Sequence, residues 1–161
     1  MNYETRIKNF DYRWAPPHYV NLPPSTYTKE TRTPRFMLVS KSGDDCDVLV
    51  YFLNMGETPV ESLICSSAGF ETEDDDEMAT FSSKEKEYRD IEAGEAVLVD
   101  VINTWADSDW SIDHGFSVVT ADLGRREINA MRGKGNYGEM VLMWDTGEAG
   151  KRVHISDPSH E

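Results

Sequence analysis

The segment 105–115 holds the residues whose types and spacing come closest to a ligand site. It contains three aspartates and two tryptophans, Asp107, Asp109, Asp113, Trp105 and Trp110. The three carboxylates suit calcium, which takes several oxygen ligands. An aromatic ring beside carboxylates can equally hold a carbohydrate or a cationic side chain. The alternative role is structural, since Asp and Ser satisfy loop backbone groups and a tryptophan can cap a core.

A second acidic feature is the run Glu71–Glu77, which carries six carboxylates in seven residues. Calcium would relieve their mutual repulsion, but the spacing lacks the alternate acids, central glycine and terminal glutamate of an EF-hand loop. The run therefore predicts an exposed, solvated loop.

Side chains suited to catalysis are few and scattered. The four histidines have no metal-ligand spacing with each other or with a cysteine, and there is no Gly-x-Ser-x-Gly elbow. Nothing in the sequence brings Cys65 and His114 together as a nucleophile and base, and a mid-strand thiol is usually an inert small hydrophobe. We therefore expect a protein that is not an enzyme and needs no cofactor, with calcium as the open alternative.

The candidate docking elements are an aromatic arm and a basic island, and the island is formed by Arg125, Arg126, Arg132 and Lys134. The arm, residues 1–35, contains five of the seven prolines and six of the 17 aromatic residues, which predicts an extended segment laid on a surface. That surface belongs to its own domain, to a neighbouring subunit or to a partner. The island either offsets the acidic face or docks an acidic partner. The predicted docking residues are Tyr12, Trp14, Tyr19, Arg125, Arg126, Arg132 and Lys134.

Short β-rich segments separated by turn residues must position these groups. They predict an all-β fold, an antiparallel β-sandwich of the Ig-like or jelly-roll-like type over residues 36–161, with the arm as a separate unit. Ile128 and Met131, three residues apart, predict one short helix at Arg125–Arg132. Asp100 interrupts an apolar strand on the side of Leu98 and Ile102; it needs a polar partner if buried, or lies near an edge or under a loop. The predicted strands are Phe36–Ser40, Cys46–Leu53, Val60–Phe70, Ala96–Asn103, Phe116–Leu123 and Met140–Trp144, with weaker candidates at Met78–Ser82, Tyr88–Ile91 and Val153–Ile155.

Two turns carry a resemblance to a known family. Asn54-Met-Gly56-Glu-Thr-Pro59-Val60 and Ile91-Glu-Ala-Gly94-Glu95-Ala-Val97-Leu-Val99-Asp-Val101 resemble turns of bacterial immunoglobulin-like sandwich modules. The likeness covers about residues 46–123 and departs from the family at Ala93, where proline is usual. It implies a fold that mostly binds proteins or acts as a spacer, and it transfers no active site.

The charge of the chain is strongly partitioned. Residues 1–35 carry six basic and three acidic residues (+3), residues 36–124 carry four and 21 (−17), and residues 125–161 carry six of each, which sums to the net charge of −14. This balance argues against general nucleic-acid binding. We expect a protein-binding subunit that self-associates or docks a partner through arm-to-body charge complementarity. The alternatives are an acidic decoy for a basic, nucleic-acid-binding protein, and a calcium or carbohydrate module.

The compartment is predicted from what the sequence lacks. There is no apolar segment long enough for a membrane helix and no apolar signal region near the N-terminus, so we expect a cytoplasmic protein with no membrane contact. Cys46 and Cys65 are then reduced thiols. A hairpin about Gly56 would bring the two together, and a disulfide would become possible after export by another route.

Overall fold

The structure is a computed structural model that describes residues 3–16, 30–73, 77–82, 85–104, 111–133 and 138–157. These residues form β-strands and connections, and they contain no helix. The strands are β1 Arg6–Ile7, β2 Pro34–Ser42, β3 Asp47–Asn54, β4 Val60–Glu73, β5 Glu77–Ser82, β6 Lys86–Ile91, β7 Ala96–Asn103, β8 Ser111–Thr120, β9 Gly124–Arg132, β10 Met140–Trp144 and β11 Val153–Ser156.

The strands form two antiparallel sheets that pack face to face. Sheet A has the order β1-β7-β3-β2-β10. Sheet B has the order β11-β9-β8-β4-β5, and β6 also pairs with β4. The predicted antiparallel β-sandwich is confirmed. Within the described residues there is also no helix long and apolar enough to cross a membrane.

The predicted helix at Arg125–Arg132 is wrong, because these residues form β9. Each residue of β9 pairs with β8, and its central residues, Glu127 to Ala130, also pair with β11. Ile128, Ala130 and Arg132 point inward while Asn129 and Met131 are exposed, which is the period of two expected of a strand. The alternation was hidden in the sequence because one of its inward residues is an arginine.

The main core lies between the two sheets. Aromatic rings join them, with Phe36 to Phe52 centroids 5.2 Å apart in sheet A and Phe52 to Phe116 centroids 5.7 Å apart across the interface. Val97 of β7 and Ile128 of β9 are buried in the same cluster. Burial of such side chains contributes on the order of 2 kcal/mol each.

A second apolar layer covers the outer face of sheet A, and the arm supplies its outer side. Met37, Val39, Leu49, Tyr51, Leu53 and Leu98 are buried on this face against Tyr3, Ile7, Phe10, Tyr12 and Trp14 of the arm. Sheet A is therefore covered on both faces. This explains why the segment 48–53 is continuously apolar instead of alternating.

The arm crosses sheet A from one edge to the other. It begins at the β7 edge, where Arg6 pairs with Val97. The Phe10 amide donates to Gly94 O (2.9 Å), and the Phe10 ring lies 5.5 Å from that of Tyr51. Of the three surfaces considered for the arm, residues 3–16 therefore lie on their own domain.

A partly buried ion pair fixes the start of the arm. Arg6 Nη1 donates to Glu95 Oε1 at 2.9 Å and its Nη2 donates to Arg89 O at 2.7 Å. Glu95 is only 2% exposed, and the same oxygen also accepts from the Glu92 amide at 3.0 Å. At this contact a basic residue of the arm pairs with an acidic residue of the body of the same chain.

One buried side chain joins the two turns that carry the family resemblance. Asn54 Nδ2 donates to Ile91 O (3.1 Å) and to Thr58 O (3.0 Å), while its Oδ1 accepts from the Gly56 amide (3.1 Å). Gly94, whose φ of +81° favours glycine, donates its amide to Asn54 O at 2.7 Å. The turn after β3 and the turn before β7 therefore form one hydrogen-bonded unit.

β3 and β4 do not form the hairpin that would have brought Cys46 and Cys65 together. β3 pairs with β2 and β7 in sheet A, whereas β4 pairs with β8, β5 and β6 in sheet B, so their connection passes between the sheets. Cys46 is exposed, Cys65 is buried, and both are free thiols.

The acidic run occupies the end of the β4–β5 hairpin. Its flanks are paired strand residues, with Glu71 opposite Ala79 and Glu73 opposite Glu77, rather than part of a loop. Residues 74–76 lie outside the described residues. Like charges directly opposite each other weaken a strand pair.

Candidate functional site

A concave surface lies beside the edge strand β10, and we name it the β10 cleft. Its volume is about 660 Å³. Parts of the chain that are distant in sequence build its walls: the arm, the segment before β2, strands β9 and β10, and the β10–β11 connection. The residues that define it here are Trp14, Glu30, Arg32, Met131, Val141, Trp144, Lys151 and Arg152.

Aromatic and thioether groups form the apolar part of the β10 cleft. Trp14 packs edge-on against Trp144, with ring centroids 5.6 Å apart at 80°. The guanidinium of Arg32 lies over the Trp144 ring, 4.3 Å from its centroid, and leaves that tryptophan only 9% exposed. Met131 is 46% exposed and adds apolar surface to the cleft.

Carboxylates neutralise Arg32. Its Nε and Nη2 donate to the two oxygens of Glu30, each at 2.8 Å, and its Nη1 lies 3.5 Å from Glu148 Oε2. The hydrogen bonds from Arg32 lower the pKa of Glu30 to about 2. Arg32 therefore shapes the cleft as a stacked, paired group rather than as a free charge.

Two further cations stand on the rim of the cleft. Lys151 and Arg152 are exposed, and neither forms an ion pair with another residue that the structure describes. On the arm side, Tyr12 donates its hydroxyl to Glu139, another cleft residue, at 3.2 Å. Burial and the nearby Glu139 raise the pKa of Tyr12 to about 12, so the hydroxyl stays a donor.

Gly150 holds the rim segment against β10. A Cβ at this position would lie 1.8 Å from Val141 O, so only glycine fits. The backbone contacts are Gly150 N to Leu142 O (3.3 Å) and Met131 N to Arg152 O (3.1 Å). The backbone that carries Lys151 and Arg152 is thereby tied to both β10 and β9.

A buried polar cluster, formed by Ser67, Asp100, His114 and Arg132, lies between the sheets. His114 and Arg132 are each 1% exposed. Arg132 Nε donates to His114 Nε2 at 3.3 Å, which requires a neutral imidazole with its proton on Nδ1. That nitrogen lies 3.9 Å from Asp100 Oδ2. Arg132 also donates to Gly138 O, which ties the segment before β10 to the interior.

A β-bulge places Asp100 in this cluster. Val50 pairs with Asp100 but Tyr51 pairs with Leu98, so Val99 is the extra residue. Leu98 consequently faces the arm, while Asp100 and Ile102 turn toward the interior. The prediction that Asp100 shares a side with Leu98 is wrong, and the predicted need for a polar partner is met.

Burial determines the protonation of the polar cluster and of Cys65. Burial, with a smaller contribution from Arg132, lowers the pKa of His114 to about 3. Burial raises the pKa of the nearby Cys65 to about 11, so its thiol remains protonated at neutral pH. Ser67 pairs across the strands with His114, but His114 Nε2 is already occupied by Arg132.

Most of the predicted ligand residues cannot be placed. Trp105, Asp107, Asp109 and Trp110 lie outside the described residues, so the calcium or carbohydrate site stays a prediction. Asp113 is on β8, and burial raises the pKa of its carboxyl. The described residues contain no group of three or more His, Cys, Asp or Glu side chains able to hold a metal.

The predicted docking residues separate into different environments. Trp14 lines the β10 cleft, and Tyr12 contacts its wall, whereas Tyr19 and Lys134 lie outside the described residues. Arg125 is exposed beside Glu127.

Arg126 bonds to Asp157 at 3.4 Å, at the opposite end of β9 from Arg132. Arg132 is buried and does not belong to a surface patch.

Sequence reasoning missed the other cleft residues. The sequence predicts Met131 in a helix. Lys151 and Arg152 are only a basic pair after a glycine, which does not indicate a binding surface. The available signal was Gly150-Lys151-Arg152 between two predicted strands, which indicates a short connection with exposed cations.

Comparisons of the chain with protein-family models, with curated proteins and with solved structures find no match.

Proposed function

We propose that this protein is a non-enzymatic β-sandwich that docks a segment of another protein in the β10 cleft. The observation that carries the proposal is the cleft itself, in which an exposed Met131 and the Trp14–Trp144 pair lie beside Lys151 and Arg152, two cations that form no ion pair within the described part of the chain. A volume of about 660 Å³ lies within the range of roughly 300–1,000 Å³ that is typical of ligand pockets.

Support for a binding role also comes from the polar cluster. The most nucleophilic side chain in the described core, Cys65, is protonated, and the imidazole beside it is neutral and hydrogen-bonded. Two free thiols support the cytoplasm as its compartment. The likeness to bacterial immunoglobulin-like modules is part of the same proposal, supported by the two turns that share Asn54.

The test uses peptides of random sequence, so that the choice of ligand does not presuppose the chemistry of the partner. A random dodecapeptide display library is selected on the full chain, and the selected peptides are then measured on Met131→Glu and on Val101→Glu. Met131 and Val101 are the two exposed large hydrophobic residues of the described chain, but only Met131 lines the cleft. We expect binding to fall at least about tenfold on Met131→Glu and to persist on Val101→Glu.

The proposal fails if the selected peptides bind both variants equally. Circular dichroism of each variant checks that the charge at an exposed strand position has left the fold intact.

A further inference from the structure

We infer that the segment docked in the β10 cleft is an acidic polypeptide carrying one large apolar side chain. This inference rests on the proposed function and adds the chemistry of the partner. The cleft has an apolar part that calls for an anchor and a charged rim that selects its neighbours.

The rim favours carboxylates over ammonium groups. Of the charged cleft residues, Glu30 and Arg32 neutralise each other through two hydrogen bonds. Glu139 accepts a hydrogen bond from the neutral Tyr12 hydroxyl and keeps its negative charge. With Lys151 and Arg152, the charged residues that line the cleft then sum to +1, and the backbone bonds of Gly150 and Arg152 fix the chain that carries these two cations. A segment with carboxylates on either side of its anchor matches this pair.

The apolar part calls for a side chain rather than a sugar. A carbohydrate needs an open, flat ring, but Arg32 covers one face of Trp144 and the edge of Trp14 meets its ring. The exposed thioether of Met131 adapts to irregular apolar shapes. The cleft therefore fits an aromatic or branched aliphatic anchor.

The net charge of the whole molecule makes the anchor necessary. At −14 the protein repels an acidic segment at long range, and salt screens that repulsion. Affinity must then come mainly from the buried anchor, while Lys151 and Arg152 discriminate between segments at short range.

Three labelled heptapeptides test the inference by fluorescence anisotropy on the full chain at 0.15 M salt, roughly physiological ionic strength. The first has phenylalanine between two runs of three glutamates. The second replaces the glutamates by lysines, and the third replaces the phenylalanine by glycine. We expect the first to bind at least about tenfold more tightly than either of the others.

A charge reversal on the rim supplies the matched comparison. Lys151→Glu with Arg152→Glu should weaken binding of the first peptide by at least about tenfold. Lys8→Glu with Lys41→Glu changes the net charge equally at two exposed lysines outside the cleft, and should leave binding within about twofold.

Each outcome has a defined meaning. Tighter binding of the lysine peptide, or equal loss in both double variants, overturns the acidic partner while the docking function stands. If none of the heptapeptides binds and library selection also fails to depend on Met131, both proposals fall. A dimer in sedimentation that Lys151→Glu with Arg152→Glu abolishes would overturn the inference by assigning a second copy as the occupant.

Discussion

Burial and the neighbouring Arg132 keep the imidazole of His114 uncharged. Arg132 needs an acceptor in the interior and uses the Nε2 lone pair, so a second proton on the ring would remove that bond and add a cation beside a guanidinium. The charged and titratable neighbours are Asp100 from β7, Arg132 from β9 and Cys65 from β4. Of these, Asp100 is the one group that would favour the imidazolium.

We predict that the free energy of unfolding falls as the pH is lowered from 6.5 to 5. The pKa of His114 is about 3 in the folded state, against 6.5 for an unperturbed histidine, so the unfolded state binds more protons in this window. The loss attributed to this group is about 1.5 kcal/mol over the window. Urea unfolding at several pH values measures it.

His114→Gln is the matched variant, since glutamine keeps an acceptor for Arg132 but does not titrate. We expect its stability to vary less between pH 6.5 and 5, where carboxyl groups of ordinary pKa contribute little. An unchanged slope in this variant would contradict the assignment of the pH dependence to His114.

At the scale of elements, the arm is an integral layer of the fold. It adds β1 to the edge of sheet A and supplies the outer half of the second apolar layer. Trp14, near the end of the described arm residues, is also a wall of the β10 cleft. Displacement of the arm would therefore remove part of the proposed docking site.

We predict that Arg6→Met destabilises the protein by about 2 kcal/mol, because it leaves Glu95 buried without its cation. The arm should also open more often. Hydrogen exchange at the Leu98 and Phe10 amides, which bond to Thr5 O and Gly94 O, should then accelerate. Urea unfolding and amide exchange are the two measurements.

Arg89→Met provides the comparison, since Arg89 pairs with Glu87 at the surface. We expect it to cost less than about 0.5 kcal/mol. Equal losses in the two variants would show that the Arg6–Glu95 pair has no special role, and Arg6→Met with Glu95→Gln should recover part of the loss.

The positions of the strands could be predicted from the sequence more readily than the pairing between strands or the direction in which their side chains point. The apolar segments of β2, β3, β7 and β10 stand out, because burial on both faces of sheet A leaves long apolar runs. In β9 the inward arginine obscured the period, and in β7 the bulge at Val99 changed which face Asp100 occupies. Both failures involve the polar cluster, where the interior departs from a simple apolar pattern.

The β10 cleft could be predicted only in part, because its residues come together through the order of the strands. The composition of the arm predicts that Trp14 lies on a surface, but it leaves open whether that surface belongs to the same domain, to another subunit or to a partner. Met131, Lys151 and Arg152 come together because β9, β10 and the β10–β11 connection meet at a sandwich edge. That meeting depends on strand order, which short-range patterns do not specify.

At the scale of the whole molecule, the net charge of −14 opposes folding through self-repulsion. We predict that the melting temperature rises by about 2–4 °C between 0.02 and 0.5 M sodium chloride, since roughly 1 kcal/mol of relieved repulsion has that effect in a domain of this size. Calorimetry across the salt series measures it. A fall in melting temperature would mean that salt weakens the attractive ion pairs more than it relieves the repulsion.

The acidic run offers a control for this effect. Glu71→Gln, Glu73→Gln and Glu77→Gln together remove three carboxylates from the end of the β4–β5 hairpin without changing its pairing register. The triple variant should show a smaller response to salt. An undiminished response would place the repulsion elsewhere in the segment 36–124.

During translation the arm is synthesised before the residues that it contacts in the folded protein. Arg6 is separated from Glu95 by 89 residues, and Tyr12 is separated from Glu139 by 127. At ordinary rates of translation the arm must wait on the order of ten seconds before its last contacts exist. During that time the aromatic rings of the arm and the apolar outer face of sheet A are not yet buried against each other. We therefore expect the protein to be most prone to aggregation while it is being synthesised.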